Sequence, residues 1–202
     1  MKLSRAAALA LLALAPALSS AATFVVDFEH PWNYGSDVNG YYAGGTADDG
    51  TSGANLGVSF VNVSGLSNDA DFTYYAGAPS PLGTAYAHDN AYIDIGAGVA
   101  GNLSFFYSSP VAVTGAIKAY SGLNGTGTLL GTFDLGANSS EFYDTWSHVT
   151  LRFDGFAQSF DLTGSANVVG FDNISAVPEA GSTAMVLAGV ALLAGLARRR
   201  RA

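Results

Sequence analysis

The chain has 202 residues, with eight basic residues against sixteen acidic ones and no cysteine. The missing cysteines exclude a disulfide framework and thiol chemistry. Only Lys118 and Arg152 are basic between Thr23 and Ala176, against fifteen carboxylates, so this stretch carries a net charge near −13 that excludes nucleic acid and anionic lipid surfaces as partners.

At the N-terminus, Lys2 and Arg5 precede an Ala/Leu run from Ala6 to Leu14, Pro16 breaks the helix, and Ser20-Ala21-Ala22 supplies small residues before Thr23. This pattern predicts a cleaved secretory signal peptide over residues 1–22; the alternative, retention as an N-terminal anchor, is disfavoured by so short an apolar core. Thr23 to Ala176, with both ends set aside, is 154 residues, the size of one ordinary domain with a real core.

Within that domain, short runs rich in Val, Ile, Phe and Tyr are separated by Gly, Asn, Ser and Asp clusters, the pattern of strands and turns. Ten strands are predicted, in order: Thr23 to Phe28, Gly57 to Val63, Phe72 to Ala76, Ala91 to Ile95, Asn102 to Tyr107, Ala112 to Tyr120, Thr128 to Leu135, Ser147 to Phe153, Gln158 to Leu162 and Val168 to Ile174. In the eighth, Val149, Leu151 and Phe153 alternate with His148, Thr150 and Arg152, so one face is buried and the other wet. No stretch holds a helical period for three turns. The fold expected is all-β, an antiparallel jelly-roll-like β-sandwich, flanked by an N-terminal signal helix and a C-terminal transmembrane helix. Ser121 to Gly127 reads as a tight hairpin, and His30 to Asn55 as a long irregular stretch.

Several motifs fail on context. Gly96-Ala97-Gly98-Val99-Ala100-Gly101 satisfies G-x-G-x-x-G, but a strand rather than a helix follows it, so it reads as a glycine-rich turn. His30, His88 and His148 lack metal-ligand spacing. No G-x-S-x-G elbow precedes a helix, and the domain's only glutamates are Glu29 and Glu141, so no catalytic residue is assigned and the chain is expected not to be an enzyme. Among the aromatics, Trp32, Tyr34, Tyr41, Tyr42, Tyr74, Tyr75, Tyr86 and Trp146 are available to stack on sugar faces. Tyr41 and Tyr42, in a predicted loop, are the ligand-binding candidates.

The two ends of the domain carry the other constellation. Asp27-Phe28-Glu29 opens it and Asp172-Asn173 closes it, and if the first and last strands pair these groups converge on one rim. Calcium takes six to eight oxygens from such groups and from backbone carbonyls. The pairing resembles calcium-containing β-sandwich carbohydrate-binding modules, and the resemblance implies a structural Ca²⁺ held by Glu29 and Asp172 with Asp27 and Asn173 as helpers.

The C-terminus reads Val177-Pro178-Glu179-Ala180-Gly181-Ser182-Thr183, then an apolar run from Ala184 to Ala197, then Arg198, Arg199, Arg200 and Arg201. Fourteen apolar residues make a short span, about 20 being usual, and the arginines should stay cytoplasmic. A plain C-terminal anchor fits the same hydropathy. The order of motif, helix and basic stop over residues 177–202 resembles the PEP-CTERM sorting signals of Gram-negative bacteria, in the Val-Pro-Asp-Ser-Gly variant, with Glu179 for Asp and Ala180 for Ser.

That resemblance implies export through the inner membrane, a transient anchor in it, processing by an exosortase-type enzyme, and release to the cell surface or extracellular matrix. The function expected is a non-enzymatic structural or adhesive module. The alternatives are a glycan-binding module for exopolysaccharide and a polysaccharide-active enzyme.

Overall fold

The computed structural model describes residues 22–67 and 74–176. Among the described residues, seven strands form one antiparallel sheet: β1 (Phe24–Val26), β2 (Val58–Ser67), β3 (Gly83–Ser108), β4 (Val113–Tyr120), β5 (Leu129–Leu135), β6 (Ser147–Asp161) and β7 (Gly170–Ala176). Their order is β1-β7-β3-β6-β4-β5, with β2 on the free side of β3. The described helical content is two 3₁₀ turns, Tyr41–Ala43 and Thr163–Ser165.

The length of β3 explains the architecture. Its 26 residues would reach about 86 Å if straight at 3.3 Å each, far beyond a compact domain whose radius of gyration is about 15 Å. The strand must therefore fold over. It does so at Gly96–Gly101, where its register with β6 shifts between Asp94 and Val99 and again between Ala100 and Asn102. Gly98 (φ +67°) and Gly101 (φ +75°) adopt left-handed backbone there, as does Gly155 (φ +99°) on the partner strand.

The bend gives β3 and β6 to both layers of the sandwich. Tyr92 to Asp94 pair with Ser159 to Asp161 beside β2, β4 and β5, and Asn102 to Tyr107 pair with Ser147 to Arg152 beside β7 and β1. Between the layers lie Phe105, Phe160, Phe171, Ile93, Ile95, Leu103, Ile117, Ile174, Val26 and Phe28, all fully buried. Each such side chain stabilises the fold by about 1.5–3 kcal/mol. The alternation expected in the eighth run is present: Leu151 and Phe153 are buried while His148 and Arg152 face water.

The all-β antiparallel sandwich is as expected, but its strands are fewer and longer. The runs Ala91 to Ile95 and Asn102 to Tyr107 belong to β3, and Ser147 to Phe153 and Gln158 to Leu162 belong to β6. The Gly96 to Gly101 segment is thus a bulge inside a strand rather than a turn, because positive-φ glycines bend a ladder without ending it. The expected strand Phe72 to Ala76 is also corrected over its described part, its first two residues lying outside the described residues. Tyr74 to Ala76 form a turn, with Tyr75 (φ +63°) and Gly77 (φ +75°) in left-handed backbone.

The hairpin loop is where it was expected, joining β4 to β5. Ser121 N–H donates to the Thr128 carbonyl (3.0 Å) and Gly122 N–H to the Thr126 carbonyl (3.0 Å). The signal helix and the C-terminal helix lie outside the described residues. Among the described residues, no helix is long and apolar enough to cross a membrane.

Candidate functional site

A cleft of ≈ 490 Å³ opens at one end of the sandwich, lined by Tyr34, Leu66, Tyr74, Tyr75, Tyr86, Tyr143, Asn167, Val168 and Val169. Five of its nine described lining residues are tyrosines, and none is Asp, Glu, Lys, Arg or His. Tyr86 comes from β3 and Leu66 from the end of β2; the others lie on loops.

Two loops build the aromatic wall. Tyr75 and Tyr143 stack with ring centres 4.9 Å apart and planes 26° from parallel. Tyr74 meets Phe142 at 5.5 Å, and Trp146 stands 6.4 Å from Tyr75. The loops are joined through the backbone, Tyr75 N–H donating to the Phe142 carbonyl (2.9 Å). Ser139 and Ser140 hydroxyls donate to Asp144, which holds its carboxyl below the ordinary range and ties the Tyr143 loop to itself.

Among the described residues, the non-glycine positions with positive φ are six asparagines and three aromatics, Phe28, Tyr75 and Tyr143. Asparagine tolerates this region, but a bulky side chain there costs about 1–3 kcal/mol and persists only where its surroundings enforce it. Both stacked tyrosines are therefore held against local preference. Gly170 makes room for Tyr75 and Trp146, since a β-carbon there would lie 2.9 Å from Tyr75 Cε1 and 3.3 Å from Trp146 Cη2. Burial pushes the Tyr75 and Tyr143 hydroxyls up, so both remain protonated donors at neutral pH.

Four aromatics named from the sequence, Tyr34, Tyr74, Tyr75 and Tyr86, line this cleft; Tyr143 was missed. Its signal was the cluster of three aromatics, Phe142, Tyr143 and Trp146, within five residues between two strands. The ligand-binding candidates Tyr41 and Tyr42 are not among the described lining residues of this cleft. Tyr42 is only 4% exposed, packing edge-on against Phe28 (6.0 Å), and Tyr41 is half-buried between His30 (5.2 Å) and Trp32 (5.0 Å). The 3₁₀ turn folds the pair inward, and His30 helps hold it there through Asp49 (3.3 Å) and Thr51 (3.1 Å).

The carboxylates named at the two ends divide between two places. β1 pairs with β7, Val26 opposite Ile174, which brings Glu29 and Asp172 to one region of the fold. Glu29 Oε1 accepts the Leu82 N–H (2.9 Å), and the fully buried Asp172 accepts N–H groups from Ser80 (2.7 Å) and Asn173 (2.7 Å). Asn173 Oδ1 accepts the Ser80 hydroxyl (3.2 Å). Burial, with a further contribution from the Glu29 carboxylate, pushes the Asp172 carboxyl up to about 7 against the opposing Ser80 and Asn173 hydrogen bonds.

Asp27 is elsewhere. Its carboxylate lies 3.5 Å from the Tyr42 hydroxyl and accepts the Glu29 N–H (3.2 Å). Among the described residues, no three His, Cys, Asp or Glu side chains cluster as a metal site. Any cation at Glu29 and Asp172 would thus need amide and backbone oxygens as well.

One serine–histidine contact bears on catalysis. Ser64 Oγ lies 2.9 Å from His88 Nε2, but it is fully buried and donates to Asp37 (2.7 Å), so its proton is committed to a carboxylate rather than to a base.

The tail is decided by comparison with known families. Residues 176–201 match the PEP-CTERM protein-sorting motif. The PEP-CTERM match marks the chain for export and C-terminal sorting, as the order of motif, apolar run and arginines led us to expect. It begins at Ala176, the last residue of β7, and the rest of it lies outside the described residues. No curated protein matches the chain in sequence.

Three solved structures are similar to it. One is a family 6 carbohydrate-binding module (TM-score 0.41, 17% identity, covering 76% of this chain and 92% of that one). The second is CsCBM6-3 from Clostridium stercorarium in complex with cellobiose (0.39, 21%, 57% and 83%). The third is a family 43 arabinoxylan arabinofuranohydrolase from Bacillus subtilis in complex with cellotetraose (0.36, 16%, 59% and 24%).

Proposed function

We propose that this exported PEP-CTERM protein is a non-catalytic glycan-binding module that holds a neutral sugar chain in the tyrosine cleft. The observation that carries the reading is the stacked pair Tyr75 and Tyr143, held in left-handed backbone at an open cleft without a charged described side chain. Sugar faces present C–H groups to aromatic rings, and the tyrosine hydroxyls and the exposed Asn167 amide supply donors and acceptors for ring hydroxyls. The described lining holds neither the two carboxylates of glycoside hydrolysis nor a cation to pair with an acidic polymer.

A structural or adhesive role is compatible with this reading, since binding an exopolysaccharide is itself a mode of adhesion. The sorting steps extend the proposal: an exosortase-type enzyme processes the tail after a transient stay in the inner membrane, and the product reaches the cell surface or extracellular matrix.

A structural calcium ion belongs to the same proposal. Asp172 is a buried carboxylate beside a second carboxylate, and a cation held by Glu29, Asp172 and Asn173 would relieve that repulsion. Their partners, Ser80 and Leu82, lie on the segment that carries Tyr74 and Tyr75, so the ion would steady one wall of the cleft. The test is a glycan array probed with the purified chain, with and without a chelator. Retention of neutral oligosaccharides, weakened by the chelator, is expected. Retention of uronate or sulfated polymers alone, or of no glycan, would overturn the reading.

A further inference from the structure

The strand registers fix where the cleft lies relative to the sorted end of the chain. Asn167 to Val169 line the cleft and lead directly into β7 at Gly170, whereas the matched motif begins where β7 ends, at Ala176. Seven residues of strand at 3.3 Å each separate the two by about 20 Å.

Other pairings agree at both ends. Gly170 stands opposite Tyr86 and Ser108, and Tyr107 opposite Ser147, which gathers the β3 wall and the start of β6, after the Tyr143 loop, at the cleft end. Ser67 pairs with Gly83, so the segment bearing Tyr74 and Tyr75 also leaves there. At the far end, Ala176 pairs with Phe24, and Ala22 N–H donates to the Gly98 carbonyl (3.0 Å) at the bend of β3. Both ends of the described chain therefore leave from the pole opposite the cleft.

We infer that the domain is a two-pole tether, attached through its C-terminus at one pole while it holds a neutral glycan at the other. This rests on the glycan reading of the cleft and adds to it that attachment and binding do not compete. The path between the poles runs through β7, which is hydrogen-bonded on both sides, to β1 and to β3. A surface or matrix component fixed at the motif end would present the cleft outward, and the removal of an N-terminal leader would occur away from the ligand.

The cysteine-free chain allows a direct test by oriented coupling. The full chain, made in a host without the sorting enzyme and kept in detergent, is coupled to maleimide beads through Ala202→Cys or through Glu141→Cys, beside Phe142 and Tyr143. The probe is a mixture of fluorescent cello-, xylo-, laminari- and manno-hexaose, and capture per coupled molecule is compared with binding by the uncoupled chain. Coupling at residue 202 should keep capture within about twofold of the free chain, and coupling at residue 141 should lower it about tenfold or more, because geometry then forbids simultaneous engagement. If the free chain binds and the residue-202 beads do not, or if both couplings capture equally, the two-pole arrangement is wrong. If the free chain binds none of the four, the glycan reading itself falls and the tether falls with it.

Discussion

Replacing Asp172 by asparagine should uncouple the stability of the cation-free domain from pH. The folded-state carboxyl is raised from the ordinary 3.8 to about 7, so the native state holds a proton that the unfolded chain has already released. This group's stabilising contribution is therefore fully present below about pH 4, falls as the pH rises, and is lost by the time the pH passes 7. Each pH step of one across that interval is worth 1.36 kcal/mol, so the whole loss is about 4 kcal/mol, or about 10 °C in Tm for a domain of this size.

Asparagine cannot ionise, but its amide can satisfy only one of the two N–H groups, from Ser80 and Asn173, that Asp172 now accepts. That loss is about 1–3 kcal/mol at every pH. In chelator, the D172N variant should thus be the less stable protein at pH 4.5 and the more stable at pH 8. Calcium at about 100 times its Kd should return about 2.7 kcal/mol to the wild type at pH 8 and nothing to the variant, with magnesium at equal ionic strength as the control for screening. Denaturant melts at the two pH values measure all of this. Parallel pH profiles of wild type and variant in chelator would refute the buried, uncompensated charge, and equal responses to calcium and magnesium would refute the cage.

Three further outcomes follow from the same structure. Tyr34→Ala, at a residue 85% exposed, should leave Tm unchanged and weaken neutral-glycan binding about tenfold, as read by calorimetry; unaltered affinity would remove Tyr34 from the site. Gly98→Val should destabilise by more than about 3 kcal/mol, because it forces a β-branched residue to positive φ and into the Phe156 ring, and a near-wild-type melt would show that the β3 bend is not needed. Replacing Pro178 and Glu179 together by alanine should leave the tail uncut and the chain at the inner membrane of a native host, detected by fractionation and mass; normal processing would break the link between the PEP-CTERM motif and its enzyme.

Local features of the sequence determined the strand content, the β4–β5 hairpin and the sorting tail. Alternating burial, Asn-Gly turns and a contiguous motif are each written within a few consecutive residues and do not depend on what packs against them. The carboxylates near the two ends of the domain were also visible, but their approach was only conditional on the first and last strands pairing; β1 does pair with β7, and Asp27-Phe28-Glu29 follow β1 directly.

Tertiary structure decided the rest. Glycine runs look the same whether they end a strand or bend it, and only the 26-residue path of β3 across two layers shows that Gly96 to Gly101 bends it. An aromatic pair in a loop looks exposed until Phe28 and Phe60 are seen beneath it, which is why Tyr42 belongs to the core. The cleft draws on segments from Tyr34 to Val169. Their proximity follows from strand register and loop cross-links between residues far apart in sequence, and hydrophobic periodicity carries no record of either.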